Sequence, residues 1–122
     1  MQRESIYDRM TIAEKEVASV LKELKILWSY ERPVFVWDEN NRPRVWTPDF
    51  YLIQFGEYIE VCGSKNFDYG YRRDIYDSNG YQVIFLHLYK ETDKWMRHLW
   101  VHLRLFTNDR YYTIFEILSK GN

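Results

Sequence analysis

Three carboxylates lie at positions where the presence of an acidic side chain calls for a physical explanation. Asp49 opens a predicted strand, Glu60 lies in the next predicted strand, and Glu14 lies at the edge of the apolar face of the first predicted helix. Acidic residues are depleted in strands, and clustered carboxylates resist joint ionisation unless a cation neutralises them. Oxygen ligands suit a hard divalent cation such as Mg²⁺ or Mn²⁺. Because such an ion polarises a phosphoryl oxygen and activates water, the pattern predicts metal-assisted phosphodiester hydrolysis.

Each carboxylate taken alone also has a purely structural explanation. Thr11-Ile-Ala-Glu14 fits a helix capping box, in which Glu14 accepts a hydrogen bond from a backbone N–H. Asp49, which follows a proline, fits a turn acceptor, and Glu60 on a short strand fits a solvent-facing residue. These alternatives remain open for the single residues, whereas the ordered set of three favours a site.

In this order the residues resemble the PD-(D/E)XK nuclease superfamily. The family pattern is a helix with an acid, then Pro-Asp on a strand, then Asp/Glu-x-Lys on the next strand, often followed by glycine. The matching residues here are Glu14, Pro48-Asp49 and Glu60-Val61-Cys62-Gly63.

Within that superfamily the chain is similar to phage-type Holliday junction-resolving endonucleases and RecB-like nucleases. The shared features of the first group span roughly residues 10–90, and they are Glu14-x-x-Val17-x-x-x-Leu21, Tyr30-Glu31 and Thr47-Pro48-Asp49-Phe50. By analogy, the small size suggests a phage, virus or mobile-element setting.

The resemblance implies a fold and a ligand set. The fold is a restriction-endonuclease-like α/β core of order α-β-β-β-α-β, with a mixed central sheet flanked by helices and a C-terminal helical addition. The implied metal ligands are Asp49, Glu60, the backbone carbonyl of Val61, and Glu14 directly or through water. Glu31 would help to position the metal ligands without itself binding the metal, or alternatively it would pair with a surface arginine. The implied activity is Mg²⁺- or Mn²⁺-dependent endonucleolytic cleavage of DNA, on a branched or otherwise structured duplex.

Cys62 occupies the position of the family's lysine. A thiol cannot supply a positive charge, and loss of that charge is expected to slow catalysis roughly 10²–10⁴-fold. Lys65, three residues later, is the favoured substitute, while Lys15 or the pair Arg72 and Arg73 are alternatives. Cys62 itself also fits a small buried apolar residue. The competing functional hypothesis is an attenuated or inactive nuclease-fold module that binds nucleic acid or protein.

The segment Phe67–Tyr76 interleaves aromatic residues with Arg72 and Arg73. Such a segment predicts contacts with phosphates and bases, which Lys65 and Arg44 would extend. A solvated helix with core tyrosines is an equal alternative. His98 and His102 have a spacing that can bind zinc, but without the glutamate of the zinc-protease motif exposed helix histidines are favoured.

These side chains must be positioned by alternating strands and helices. The apolar spacing predicts a first helix over residues 5–28 that starts as late as Thr11, through the stripe Met10, Ala13, Val17, Leu21, Leu24 and Trp28. The remaining predicted elements are strands at 34–37, 45–53 and 58–62, a short helix at 71–77, a buried strand at 82–89, a helix at 92–106, and a last helix from Asp109 to near Gly121 or a strand at 111–115.

Length and composition limit the classes of protein to which the chain can belong. A chain of 122 residues with 46% hydrophobic residues favours one nuclease-like domain over residues 1–122. The formal net charge of −1 gives no global signature of nucleic-acid binding.

One cysteine excludes an intramolecular disulfide, and no apolar run approaches the roughly 20 residues of a membrane helix, so we expect a cytoplasmic protein without membrane contact. Surplus aromatic residues near the C-terminus favour a homodimer.

Overall fold

The structure, a computed structural model, describes residues 5–106. After a 3₁₀ turn at Ile6–Arg9, the helices are α1 (Ile12–Glu23), α2 (Tyr69–Ser78) and α3 (Thr92–Phe106). The strands are β1 (Trp28–Tyr30), β2 (Val34–Trp37), β3 (Pro43–Trp46), β4 (Phe50–Leu52), β5 (Glu57–Cys62) and β6 (Val83–His87).

Four of these strands form a mixed sheet in the order β1-β4-β5-β6. The first two pairings are antiparallel, whereas β6 runs parallel to β5 after the crossover through α2. The remaining strands, β2 and β3, form a separate antiparallel hairpin. The prediction of an α/β fold with a mixed sheet flanked by helices is therefore confirmed.

Two apolar clusters cover the two faces of the four-stranded sheet. One contains residues of α1 and α3 and the inward-facing Ile59 of β5. The other contains residues of α2 and the β2–β3 hairpin, together with Tyr58 and Cys62. Since successive side chains of a strand point to opposite faces, Glu60 lies on the same face as Cys62, beneath α2.

The first predicted helix is wrong at its C-terminal end. α1 ends at Glu23, and the N–H of Ile26 bonds the carbonyl of Leu21 at 2.9 Å while that of Lys25 bonds Lys22 at 3.1 Å. This is a Schellman motif with Lys25 in the left-handed conformation (φ 58°), where a glycine is usual. The helix therefore ends without a glycine signal, and Trp28 begins strand β1 opposite Leu52.

The single strand predicted at 45–53 is also wrong. The segment forms the end of β3, which pairs with β2, and then β4, which pairs with β1 and β5. Pro48 lies at the break between them and has no N–H to continue a ladder. The other predicted elements through residue 106 match observed elements to within about two residues at each end.

The last prediction, a helix from Asp109 or a strand at 111–115, lies outside the described residues. Within residues 5–106, no helix is both long and apolar enough to cross a membrane.

Candidate carboxylate site

The β4–β5 hairpin brings two of the predicted site residues together. Phe50 pairs with Ile59, so one further step along the register puts Asp49 opposite Glu60. The turn between the strands is tight, because the N–H of Gly56 bonds the carbonyl of Leu52 at 2.9 Å and Gly56 has a φ of 70°. That conformation favours glycine, so local turn chemistry fixes the register that aligns the two acids.

The third carboxylate, Glu14, reaches the site from the first turn of α1. The predicted capping box is present: the N–H of Thr11 donates to Glu14 Oε1 at 3.1 Å, and the N–H of Glu14 donates to Thr11 Oγ1 at 3.1 Å. The Tyr30 hydroxyl donates to the same Glu14 oxygen at 2.7 Å. Glu14 is buried, so it caps the helix and also faces the sheet; the two explanations are compatible.

Asp49 is held between the other two acids and the backbone of β5. Its Oδ2 accepts a hydrogen bond from the N–H of Val61 at 2.7 Å. Its carboxyl also lies within hydrogen-bonding reach of Glu14. Burial, together with the charges of Glu60 and Glu14, raises the pKa of Asp49 to about 8, despite the Val61 N–H. In the absence of a cation, Asp49 therefore carries a proton at neutral pH.

Glu60 points towards a cation on α2. Its Oε2 lies 3.3 Å from Nε of Arg72, and its Oε1 accepts a hydrogen bond from the Tyr76 hydroxyl at 3.2 Å. Arg72 also donates to the Tyr76 hydroxyl at 3.2 Å, which closes a triangle of polar groups. Burial raises the pKa of Glu60, and the Arg72 charge only partly opposes that shift.

The Arg72 guanidinium is held in place by the Trp46 ring and by the Tyr76 hydroxyl. It lies over the Trp46 ring, 4.6 Å from the centroid, and such cation–π contacts hold an arginine in place. Its Nε is buried and, among residues 5–106, has no aligned hydrogen-bond partner, although Glu60 is at contact distance. The ion pair with Glu60 is therefore mainly electrostatic, and the buried Nε–H is shielded from solvent.

Cys62 is a buried thiol in the cluster beneath α2. It has no exposed surface, and burial together with Glu60 and Asp49 raises its pKa to about 12. The thiol is thus neutral at physiological pH, as expected for a small buried apolar residue. It supplies neither the cation of the family motif nor a nucleophilic thiolate.

Lys65 lies exposed in the loop between β5 and α2. The described part of the chain contains no ion pair between Lys65 and the three acids, and Arg72 is the cation that contacts Glu60. The role of Lys65 as substitute for the motif lysine stays a prediction. Lys15 is also exposed, on the solvent side of α1.

Glu31 lies beside Asp49 but turns its side chain away. Its carboxylate pairs with Arg9 at 2.7 Å, as in the surface-arginine alternative. Its backbone N–H donates to the carbonyl of Asp49 at 2.9 Å. Glu31 has a φ of 56°, a left-handed conformation that is costly for a non-glycine residue. The strained turn therefore positions the Asp49 backbone rather than adding a carboxylate to the site.

The other predicted nucleic-acid contacts are divided between two surfaces. Arg44 pairs with Asp38 at 3.0 Å on the β2–β3 hairpin. Arg73 points to the other side of α2, where its guanidinium lies over the Phe85 ring, 5.1 Å from the centroid. Of these predicted contact residues, all of which lie in the described range 5–106, Arg72 is the one paired with a carboxylate of the site.

Sequence reasoning missed three residues that shape the site. Tyr30 bonds Glu14, Tyr76 bonds Glu60, and Trp46 supports Arg72. The Tyr30-Glu31 pair is visible as a motif, but nothing local in the sequence assigns a partner to Tyr30. Tyr76 and Trp46 depend on the packing of α2 and the hairpin, which no local pattern encodes.

The fit to a divalent metal ion is partial. Within residues 5–106, no group of three or more histidine, cysteine, aspartate or glutamate side chains is arranged to hold a metal. The carboxylate of Glu60 is directed towards Arg72 and Tyr76. Asp49 and Glu14 do fit, because two carboxyls within hydrogen-bonding reach need a proton or a cation between them. Full coordination would require Glu60 to exchange Arg72 for the metal.

Comparisons of this chain with protein-family models, with curated proteins and with solved structures give no match. The relation to the nuclease superfamily is therefore a resemblance carried by the site residues.

Proposed function

We propose that this protein is a metal-dependent DNA endonuclease that hydrolyses phosphodiester bonds. The observation that carries the proposal is the convergence of Glu14, Asp49 and Glu60, from a helix, a strand start and a second strand, beside the cation of Arg72. Buried acids held together against their mutual repulsion are typical of functional sites. A purely structural role would be met more cheaply by apolar residues at the same positions.

In this proposal each residue has a separate task. Asp49 and Glu14 hold Mg²⁺ or Mn²⁺, with Glu60 and the Val61 carbonyl as further ligands. The metal, when bound, polarises a phosphoryl oxygen and lowers the pKa of a coordinated water. Arg72 supplies a positive charge beside the carboxylates that would stabilise negative charge on the phosphate. Tyr30 fixes the orientation of Glu14.

The topology supports the finer fold proposal, a restriction-endonuclease-like core. α1, with Glu14 in its first turn, precedes an antiparallel hairpin in which Asp49 directly precedes β4 and Glu60 lies in β5. The crossover helix α2 then leads to the parallel strand β6. The preference for branched DNA, and a homodimer that cuts two strands, are proposed from the resemblance alone.

A second candidate is a module that keeps the fold but has lost most of its catalysis. The ion pair between Glu60 and Arg72 favours it, because it withdraws one acid from the metal. The neutral Cys62 at the lysine position favours it as well. In that case the fold would serve nucleic-acid or protein binding.

The deciding experiment is cleavage of supercoiled plasmid and four-way-junction DNA with Mg²⁺ or Mn²⁺. Wild type is compared with Asp49→Asn, Arg72→Gln and Lys65→Gln. We expect wild-type cutting, its loss in Asp49→Asn, and a roughly 10²–10⁴-fold decrease in Arg72→Gln. Lys65→Gln is the matched test of the exposed lysine and should retain most activity if Arg72 is the working cation.

Two outcomes would reject parts of the proposal. Cutting that survives Asp49→Asn would remove the metal assignment. No cutting by wild type, with activity gained in Cys62→Lys, would support the attenuated module. Size measurement of wild type in solution, with and without junction DNA, tests the homodimer separately.

A further inference from the structure

A cavity with a polar rim lies one strand away from the carboxylates. It has a volume of about 300 Å³ and is bounded by α2, the edge strand β6 and the start of α3. Phe85 and Trp95 form its apolar floor and are almost fully buried. Because Phe85 is paired with Glu60 in the β5–β6 ladder, the cavity neighbours the carboxylate site but shares none of its acids.

The rim of this cavity is strongly basic. Arg73 from α2, Lys90 from the loop after β6, and Lys94 from α3 contribute three full positive charges. His87 and His98 add two imidazoles. Among the described residues that line the cavity there is no carboxylate.

The acid that pairs with a cation of the rim does little to offset this charge. Glu91 pairs with Lys94 at 3.8 Å, but both side chains are well exposed, and an exposed pair of that length contributes little. Lys90 is 5.9 Å from the Tyr89 ring centroid, and Arg73 is held over Phe85 at 5.1 Å. The positive groups are therefore concentrated around one concavity that none of the described carboxylates lines.

The pKa values of His87 and His98 are lowered in part by the same positive charges. Desolvation, and then the charges of Lys90 and Arg73, lower the pKa of His87. Desolvation and Arg73 also lower the pKa of His98. An anion in the cavity would reverse the electrostatic part of these shifts, so both rings would gain proton affinity and donate hydrogen bonds to it.

We propose that the cavity binds a phosphomonoester dianion, either inorganic phosphate or the terminal phosphate of a small ester such as a nucleoside monophosphate. A phosphomonoester carries about −1.5 to −2 charge at pH 7 and offers three acceptor oxygens. That charge and geometry suit three converging cations, whereas a backbone phosphodiester carries only a single charge. The volume leaves room beside the phosphate for a small organic group over the Phe85 and Trp95 floor. This site does not depend on the nuclease proposal.

The proposal is tested by calorimetric titration of the full chain in the presence of a chelator, which removes divalent metal. The probes are inorganic phosphate, adenosine 5′-monophosphate, unphosphorylated adenosine, and a dinucleoside phosphodiester. We expect saturable one-to-one binding of the first two, no binding of adenosine, and about tenfold weaker binding of the diester. A difference between phosphate and the monophosphate tells which source the cavity prefers.

Matched variants locate the site. Lys90→Gln and Lys94→Gln should each weaken phosphate binding about tenfold. Lys22→Gln, an exposed lysine on α1, should leave it unchanged. Asp49→Asn should also bind phosphate normally, which separates this site from the carboxylates.

A second readout does not depend on any variant. Proton NMR signals of His87 and His98 should move on titration with phosphate, and their pKa should rise in the complex. The proposal is overturned if no probe binds saturably, if Lys90→Gln and Lys94→Gln bind as wild type does, or if the diester binds more tightly than the monoester.

Discussion

Arg72 on α2 lies 3.3 Å, Nε to Oε2, from Glu60 on β5, although twelve positions separate them in the chain. This contact puts a fixed positive charge beside the acids from a helix, while the motif position on the strand holds the neutral Cys62. The guanidinium is supported by Trp46 and by the Tyr76 hydroxyl. Arg72 is therefore the cation that contacts a carboxylate of the site, while the position that resembles the family's lysine holds Cys62.

The Arg72–Glu60 pair should contribute to stability in a way that a double-mutant cycle detects. Arg72→Gln leaves Glu60 with its burial but without its cation, so we expect the free energy of unfolding to fall by about 3 kcal/mol. Arg72→Gln combined with Glu60→Gln should recover most of that loss, because no unpaired charge remains. Urea denaturation at pH 7 measures both. Glu60→Gln alone completes the cycle, and a loss in the double variant equal to the sum of the two single losses would mean that the pair is not coupled.

Asp49 predicts a pH dependence of metal binding. Its pKa of about 8 means that the metal-free protein holds a proton there at pH 7, and a cation must displace it. We expect Mg²⁺ or Mn²⁺ to release up to one proton at pH 7, and metal affinity to rise as the pH rises towards 8. Titration calorimetry in buffers of different ionisation enthalpy counts the proton. Asp49→Asn is the control, and proton-independent binding in wild type would contradict the assignment.

Glu57 predicts a pH dependence of stability away from the site. It is 1% exposed, its Oε2 has no hydrogen-bond partner among the described residues, and burial raises its pKa from 4.5 to about 7. The protonated carboxyl therefore stabilises the folded state, and this contribution is fully present below pH 4.5. It is lost as the pH rises through 7, so ionisation of Glu57 lowers the free energy of unfolding by about 3 kcal/mol.

Glu57→Gln should therefore raise the free energy of unfolding at pH 8, where the wild-type carboxylate is ionised, and have little effect near pH 4.5. Asp49 and Glu60 also have raised pKa values. The effect of Glu57 is therefore isolated by the difference in the free energy of unfolding between variant and wild type, measured across pH. Glu16→Gln, on the exposed side of α1, is the matched control. A difference that stays constant from pH 4.5 to 8 would refute the burial effect.

Cys62 predicts an unreactive thiol. It has no exposed surface and a pKa of about 12, and only the thiolate reacts readily with disulfide reagents. We expect no labelling of the native protein at pH 8 and complete labelling in denaturant. Labelling of the native protein at the rate of an unprotected thiol would place Cys62 at the surface. Cys62→Ala should cost about 1–2 kcal/mol of stability by leaving a small cavity.

Local patterns in the sequence determined a large part of the fold. The Thr11–Glu14 capping box fixes where α1 begins, because both partners lie within one helical turn. The alternation along β5 puts Glu60 and Cys62 on one face, and Gly56 sets the hairpin register that aligns Asp49 with Glu60. These features depend on residues a few positions apart, so the sequence alone predicts them.

Only the tertiary structure decided the features that join distant segments. α1 ends at a left-handed Lys25 without a glycine, which frees Trp28 to pair with Leu52. The segment 45–53 is divided because its two halves have different partner strands. Arg72 rather than Lys65 contacts Glu60 because α2 packs over that face of the sheet. Strand pairing and helix packing are set by contacts between residues far apart in the chain, and no local pattern carries that information.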